Sequence, residues 1–137
     1  MAAAALRKDD FETSAASVSY PSGSHLAPAC PIDLVHLSRQ TMGDRALEVE
    51  LLALFDRQAG QIAAKLGTVE AGPVEIWRAD LAHKLKGSAR AIGAHAVAAA
   101  ADNYEHCARA GVLRPTDASQ LVQAVTEARA ALRDLAG

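Results

Sequence analysis

Short joints that contain glycine or proline divide residues 31–137 into five helix-length segments. Four of the segments are followed by a glycine, which commonly ends a helix because it adopts the left-handed conformation without strain; these glycines are Gly43, Gly67, Gly93 and Gly111. Proline is tolerated in the first turn of a helix, and two later segments begin near Pro73 and Pro115. The positions of these glycines and prolines therefore predict one short helix followed by four long ones.

Apolar residues recur at helical spacing in the four long segments and form an apolar stripe along each of them. The segment that follows the predicted capping residue Asp44 has a stripe of Leu47, Leu51, Leu54, Phe55, Gln58, Ile62 and Leu66. The next stripe consists of Val74, Trp77, Leu81, Leu85, Ser88 and Ile92. The last two stripes consist of Val97, Ala100, Ala101 and Tyr104, and of Leu121, Val125, Ala128 and Leu132.

The composition also favours helices, because half of the residues are apolar, alanine is abundant and aromatic residues make up only 4%. Short connections force consecutive helices to run in opposite directions. We therefore predict an all-α protein, an antiparallel up-down four-helix bundle with a short additional N-terminal helix. Residues 13–31, "TSAASVSYPSGSHLAPACP", have linker chemistry, so we predict that residues 1–30 form a flexible arm and that residues 31–137 form the bundle domain.

Charge, hydropathy and cysteine usage argue against several classes of protein. The formal net charge is −2, so no general basic excess points to nucleic acid. No apolar stretch reaches the roughly 18 residues of a membrane span, and the N-terminus lacks the basic-then-apolar order of a signal peptide. Cys30 and Cys107 are too few for a disulfide framework. We expect a cytoplasmic protein with free thiols and no membrane contact.

The stretch "LAHKLKGSARAIGAHA", residues 81–96, places a basic cluster within an apolar helix. With 100° per residue, His83 lies about 200° from Leu81, so a core-facing Leu81 and Leu85 leave His83 facing water. The same outer face carries Ala79, Asp80, Lys86, Gly87, Arg90 and Ala94. Because Ala79 and Gly87 lie one turn before and after the histidine, we expect an imidazole on a bare surface that another protein can approach closely.

Basic residues near His83 indicate which chemical group this surface binds. Lys86 is a surface neighbour of His83 on the helix, and the same side is flanked by Arg78, Lys84 and Arg90. The neutral imidazole is nucleophilic, and the Lys86 ammonium can balance the charge of a phosphoryl group that the ring carries. Phosphoryl transfer consists mostly of positioning and charge stabilisation, so a bundle without a pocket can take part when a partner supplies the rest.

The segment "AHKLKGSARAIGA", residues 82–94, resembles the signature of histidine-containing phosphotransfer (HPt) domains of multistep two-component phosphorelays. In that signature the phosphorylated histidine is followed at +3 and +4 by lysine and glycine, which here are His83, Lys86 and Gly87. Weaker resemblance extends to "MGDRALEVELLALF" (42–55) and "NYEHCARAG" (103–111), and overall it covers about residue 31 to the C-terminus.

The resemblance implies a phosphocarrier and not an enzyme. HPt domains accept a phosphoryl group from the aspartate of a response-regulator receiver domain and pass it to another receiver. The acidic pocket and its Mg²⁺ belong to the receiver, so no cofactor is expected in this chain. His83 would form the phosphoramidate through Nε2, and a hybrid histidine kinase would stand upstream. We expect a monomer.

A second apolar face on the second helix leaves two interpretations open. Val49, Leu52 and Ala63 lie roughly 140° to 200° from Leu47. The short first helix must bury its own stripe on something and would account for them. Alternatively, they form a docking patch beside the His83 helix, in which Val49 and Asp56 contact a receiver.

The sequence as a whole allows three other interpretations. A histidine-kinase-like dimerisation module also carries a phosphorylated histidine, but it forms its bundle from two helical hairpins, whereas this chain supplies four long helices. A binding bundle without phosphate chemistry would make His83 incidental. A four-helix di-metal site needs two Glu-x-x-His pairs that project inward, and only Asp80 and His83 approximate one pair. We expect no metal site at His95, His106 and Cys107, and we expect His25 and His36 to be surface residues.

Overall fold

A computed structural model describes residues 31–136, and over this range the chain has five α-helices and no strand. The helices are α1 (Leu34–Thr41), α2 (Arg45–Leu66), α3 (Ile76–Ile92), α4 (His95–Arg109) and α5 (Pro115–Ala136). The all-α prediction is confirmed for this part of the chain. The arm predicted for residues 1–30, with His25 and Cys30, lies outside the described residues. Among the described helices, none is long and apolar enough to cross a membrane.

Side-chain caps and glycines set the helix ends where the sequence predicts them. The Asp44 side chain accepts a hydrogen bond from Leu47 N at 3.1 Å and caps the start of α2. Gly93 ends α3 in the left-handed conformation, with φ of +82°. The start of α3 differs from the prediction, since α3 begins at Ile76 and not near Pro73, and the side chain of its N-cap residue Glu75 makes no capping hydrogen bond.

Each long helix packs against the next one in sequence, and α2 also packs against α5. Each of these pairs has at least one polar contact, for example Gln58 with Ser88, Lys86 with Glu105, Asn103 with Asp117, and Asp56 with Arg129. The buried core contains large apolar side chains from all four long helices, together with Tyr104. The Tyr104 hydroxyl donates to Leu66 O at 2.9 Å and accepts from Arg78 at 3.0 Å, so it links three helices through the core.

α1 is fixed against the turn between α3 and α4. Asp33 N donates to Gly93 O at 2.8 Å, and Ile32 and Leu37 are buried in the core. A Cβ atom on Gly93 would lie 2.7 Å from Asp33 O, so only glycine permits this close approach.

The buried face of α3 is rotated from the predicted one. Ala79, Ala82, Leu85, Ala89 and Ile92 are buried, whereas Trp77 is exposed and Leu81 is half-buried. The prediction followed the large side chains, but α3 lies against the alanine-rich helix α4, where small residues allow close packing. The predicted stripe of α2 is confirmed in part. Phe55, Ile62 and Leu66 are buried, whereas Leu47 and Leu54 are exposed and the buried Ala59 was left out.

Candidate functional site

His83 stands in the middle of α3 with 65% of its side chain exposed. Its Nδ1 atom lies 3.1 Å from Oε2 and 3.2 Å from Oε1 of Glu105, a residue of α4. An ionised carboxylate only accepts hydrogen bonds, so Nδ1 carries the proton and donates it to Glu105. Within the described part of the chain Nε2 makes no hydrogen bond, so its lone pair is available on the exposed side of the ring.

Two cations keep Glu105 ionised although only 10% of its side chain is exposed. Lys86 Nζ lies 2.8 Å from Oε1, and Nε and Nη2 of Arg109 each lie 3.0 Å from Oε2. The hydrogen bond from Lys86, helped by those from Arg109 and His83, outweighs burial and lowers the pKa of Glu105 to about 2 from its ordinary 4.5. Glu105 is therefore a fixed negative charge under the imidazole at neutral pH.

Lys86 is engaged with α4 and is not a free cation. Its ammonium lies 3.1 Å from Oδ1 of Asp102 in addition to Glu105, and only 13% of its side chain is exposed. These two carboxylates raise the pKa of Lys86. An ammonium has three N–H donors, so one donor remains for a third acceptor.

The prediction that Arg78 belongs to a basic patch around His83 is wrong. Arg78 is buried, and its guanidinium donates to Glu75 at 2.9 Å and to Tyr104 at 3.0 Å. The other predicted cations, Lys84 and Arg90, are exposed and form no ion pair with any residue from 31 to 135.

Gly87 and Ala79 have different surroundings although the sequence placed them on one face. A Cβ atom on Gly87 would meet nothing within 4 Å, so the surface one turn after His83 is open. Ala79 is only 1% exposed, which corrects the prediction that it clears an exposed surface before His83. The reason is the rotated buried face of α3, which turns Ala79 into the core.

The docking patch predicted beside the His83 helix is also wrong. Val49 and Asp56 line a groove of about 420 Å³ between α1, α2 and the end of α5. Asp56 accepts from Arg129 Nε of α5 at 2.8 Å, whereas the side of α2 that faces α3 carries Gln58. Leu34 and Leu37 of α1 line the same groove, which agrees with the alternative of contact with the first helix.

His95 and His106 each pair with one carboxylate. His95 Nε2 lies 3.1 Å from Asp33, and His106 Nδ1 lies 3.4 Å from Asp102. His36 is half-buried, and its Nε2 is buried without a hydrogen-bond partner, so the expectation of a surface histidine there is wrong. Within residues 31–136 no group of three or more histidine, cysteine, aspartate or glutamate side chains is placed to hold a metal ion.

Glu105 is the functional residue that the sequence prediction missed. It shares the buried face of α4 with Ala101 and Ala108, at positions i−4 and i+3. A carboxylate on a buried face needs a charged or hydrogen-bonding partner. The place of Glu105 on a buried face was the signal that the sequence offered. It does not identify the partner of the carboxylate, His83, which lies 22 positions away.

Comparison with models of protein families gives a match in the second half of the chain. The family model described as Hpt domain matches residues 78–135, a range that starts in α3 at Arg78, includes His83, Lys86, Gly87 and Glu105, and leaves α1 and α2 outside. No curated protein and no solved structure matches the chain significantly.

Proposed function

From the match of the Hpt domain family model to residues 78–135, we propose that this chain is a phosphocarrier of a two-component phosphorelay. It accepts a phosphoryl group from a receiver-domain aspartate onto His83 and passes the group to another response-regulator receiver. The observation that carries the proposal is the exposed imidazole whose Nδ1 atom lies 3.1 Å from the buried carboxylate of Glu105.

The hydrogen bond to Glu105 selects the nitrogen that reacts. With the proton on Nδ1, the Nε2 lone pair attacks phosphorus, the N–P bond forms, and the bond from phosphorus to the aspartate oxygen breaks. The ring keeps its Nδ1 proton and becomes a cation that the Glu105 carboxylate stabilises. The reverse transfer to a second receiver uses the same contacts, and the receiver supplies Mg²⁺ and the acidic pocket.

Lys86 and Gly87 have separate roles in this proposal. The third N–H donor of Lys86 is free to bind a phosphoryl oxygen, while its other two bonds hold the ammonium against α4. Gly87 leaves open surface beside the ring, so the receiver can bring its aspartate close to Nε2. The protein contributes position and charge, which are the main requirements of phosphoryl transfer.

We also infer that the four long helices run alternately up and down in a single monomeric bundle. Gln58 meets Ser88 and Lys65 lines the same cleft as Leu81, so α2 and α3 progress in opposite directions. His83 meets Glu105 and Asp80 meets Arg109, which gives the same relation for α3 and α4. A histidine-kinase-like module would need a second chain, so light scattering that gives the mass of one chain supports the bundle.

We expect the phosphoryl group to come from the receiver of a hybrid histidine kinase, in the cytoplasm. The test incubates the full chain with a receiver domain that carries labelled phosphate on its aspartate. Label is expected on the wild type and on His106→Gln, a control that removes another exposed histidine, and not on His83→Gln. Label that survives His83→Gln, or a wild type that takes none, contradicts the proposal.

A further inference from the structure

The groove between α1, α2 and α5 lies on a different side of α2 from α3, the helix that carries His83. Its volume is about 420 Å³, and its lining contains no residue of α3 or α4. On α2, Asp56 of the groove is bonded to Arg129 of α5, whereas Gln58 is bonded to Ser88 of α3. A partner bound in this α1–α2–α5 groove therefore leaves the imidazole accessible.

Exposed apolar side chains from three helices meet in the groove. Leu34 of α1 is 48% exposed, Val49 of α2 is 56% exposed and Leu135 of α5 is 39% exposed. Leu37 and Leu132, which are buried, belong to the same lining. Single exposed apolar residues are common on protein surfaces, but an exposed patch to which several elements contribute is typical of a binding site. The contact with α1 therefore leaves part of the apolar surface of α2 and α5 uncovered.

The groove carries unpaired positive charge in a protein whose formal net charge is −2. Arg45 and Arg133 line it, are exposed, and form no ion pair with any residue from 31 to 135. Of the two carboxylates in the lining, Asp56 is paired with Arg129 at 2.8 Å, which leaves Glu48 against the two unpaired arginines. Uncompensated surface charge attracts a partner of opposite sign and orients it, so the groove favours a partner that carries carboxylates.

The length of the groove fits one helix. The lining residues on α2 run from Arg45 to Asp56, a distance of about 16.5 Å or three turns at a rise of 1.5 Å per residue. An amphipathic helix binds such a groove through apolar side chains at positions i, i+3 or i+4, and i+7, which lie on one face of the helix. Carboxylates at the edges of that face would meet Arg45 and Arg133.

We propose that the α1–α2–α5 groove binds an amphipathic helix of another protein, whose apolar face is edged by glutamate or aspartate. This partner is not the receiver domain that reacts at His83. The two proteins can be bound at the same time, because the groove has no lining residue from α3 or α4. Binding in the groove goes beyond the proposed function and does not depend on phosphoryl transfer.

The probe is a synthetic peptide of about 15 residues, with leucines along one helical face, glutamates at both edges of that face and a fluorophore at the N-terminus. A control peptide has lysine in place of every glutamate. Fluorescence anisotropy at 50 mM NaCl measures the Kd of each peptide for the full chain. We expect the glutamate peptide to bind at least about tenfold more tightly, although the net charge of −2 favours the lysine peptide. Equal affinities, or tighter binding of the lysine peptide, would overturn the inference.

Two double variants locate the charge that the glutamate peptide recognises. Arg45→Glu/Arg133→Glu changes the groove, and the control Arg57→Glu/Lys65→Glu changes the net charge by the same amount at the cleft between α2 and α3. The groove variant should raise the Kd about tenfold at 50 mM NaCl and less at 500 mM, where the Debye length is only a few ångströms, and the control should stay within about twofold. Equal losses in both variants would reduce the effect to net charge and overturn the groove as the site. Circular dichroism checks that both variants keep the helical fold.

The apolar part of the groove has its own test. Val49→Ala removes exposed apolar surface from α2, so the peptide should bind about threefold to tenfold more weakly at both salt concentrations. On addition of the glutamate peptide, the methyl NMR signals of Leu34, Val49 and Leu135 should shift. Unchanged affinity in Val49→Ala together with unshifted methyl signals at these three residues would place the peptide elsewhere and overturn the inference.

Phosphotransfer to His83 distinguishes this inference from the proposed function. A saturating concentration of the glutamate peptide should leave the initial rate of transfer from a labelled receiver domain unchanged, and a slowed transfer would overturn simultaneous binding. A wild type that binds the peptide but accepts no label contradicts the proposed function and leaves the groove standing. A full chain that binds no peptide, because a second copy or another segment of the chain fills the groove, overturns the inference; light scattering that gives the mass of two chains identifies the second copy.

Discussion

The substitution Gly87→Ala should stabilise the fold and slow phosphotransfer, so it tests the role of Gly87 in both. Glycine in the middle of a helix costs about 0.5–1 kcal/mol relative to alanine, because it loses more conformational freedom on folding. A Cβ atom at this position meets nothing within 4 Å, so no clash offsets the gain. The free energy of unfolding should rise by about 0.5–1 kcal/mol, which corresponds to a rise in Tm of roughly 2–8 °C for a domain of this size.

The same methyl group should slow phosphotransfer. It would stand one turn from His83, on the surface that the receiver must approach, and a displacement of about 1 Å in the reacting geometry costs up to a hundredfold in rate. We expect a loss of about ten- to a hundredfold in the transfer rate from a phosphorylated receiver, measured beside thermal unfolding on the same preparation.

Gly60→Ala is the matched control, since Gly60 is also a mid-helix glycine. Its added Cβ would meet the flexible guanidinium of Arg129 on α5, away from α3, so the transfer rate should not change. A lower Tm for Gly87→Ala would refute the reasoning about open space. A raised Tm with undiminished transfer would show that the partner does not need the gap.

Three further substitutions test the packing and electrostatics. Tyr104→Phe removes a buried hydroxyl that bonds Leu66 O at 2.9 Å, and urea unfolding should show a loss of about 1–3 kcal/mol; no loss would mean that this bond is not stabilising. Gly93→Ala forces a side chain into a φ of +82° and against Asp33 O, so Tm should fall, and an unchanged Tm would contradict the close approach. Glu105 has its pKa lowered to about 2 from 4.5, so its contribution to stability is complete above pH 4.5 and is lost as the pH falls towards 2. Glu105→Gln should remove that part of the pH dependence in acid unfolding, and an unaltered profile would show that the carboxylate is not held as described.

Local sequence signals were enough to predict the helices and the exposure of His83. Asp44 caps α2 and Gly93 ends α3 because capping and left-handed termination depend on a few adjacent residues. His83 is exposed because a residue far from a core-facing leucine on the helical wheel faces water.

Tertiary packing determined the features of the structure that the local sequence signals did not predict. Ala79 has no strong preference for either face, and only the close approach of α3 to α4 buries it. The contact between His83 and Glu105 joins residues 22 positions apart, and helical periodicity within one segment carries no information about it. Asp56 lies on the side of α2 that meets Arg129 of α5, a contact between residues 73 positions apart that periodicity within α2 does not predict.

The most direct test of the account locates the phosphoryl group on the imidazole ring. The full chain, labelled with ¹⁵N in its histidines, is incubated with a phosphorylated receiver domain and examined by ¹⁵N and ³¹P NMR. We predict a phosphoryl group on Nε2 of His83, with the Nδ1 proton retained opposite Glu105. A phosphoryl group on Nδ1, on another histidine or on none would contradict it.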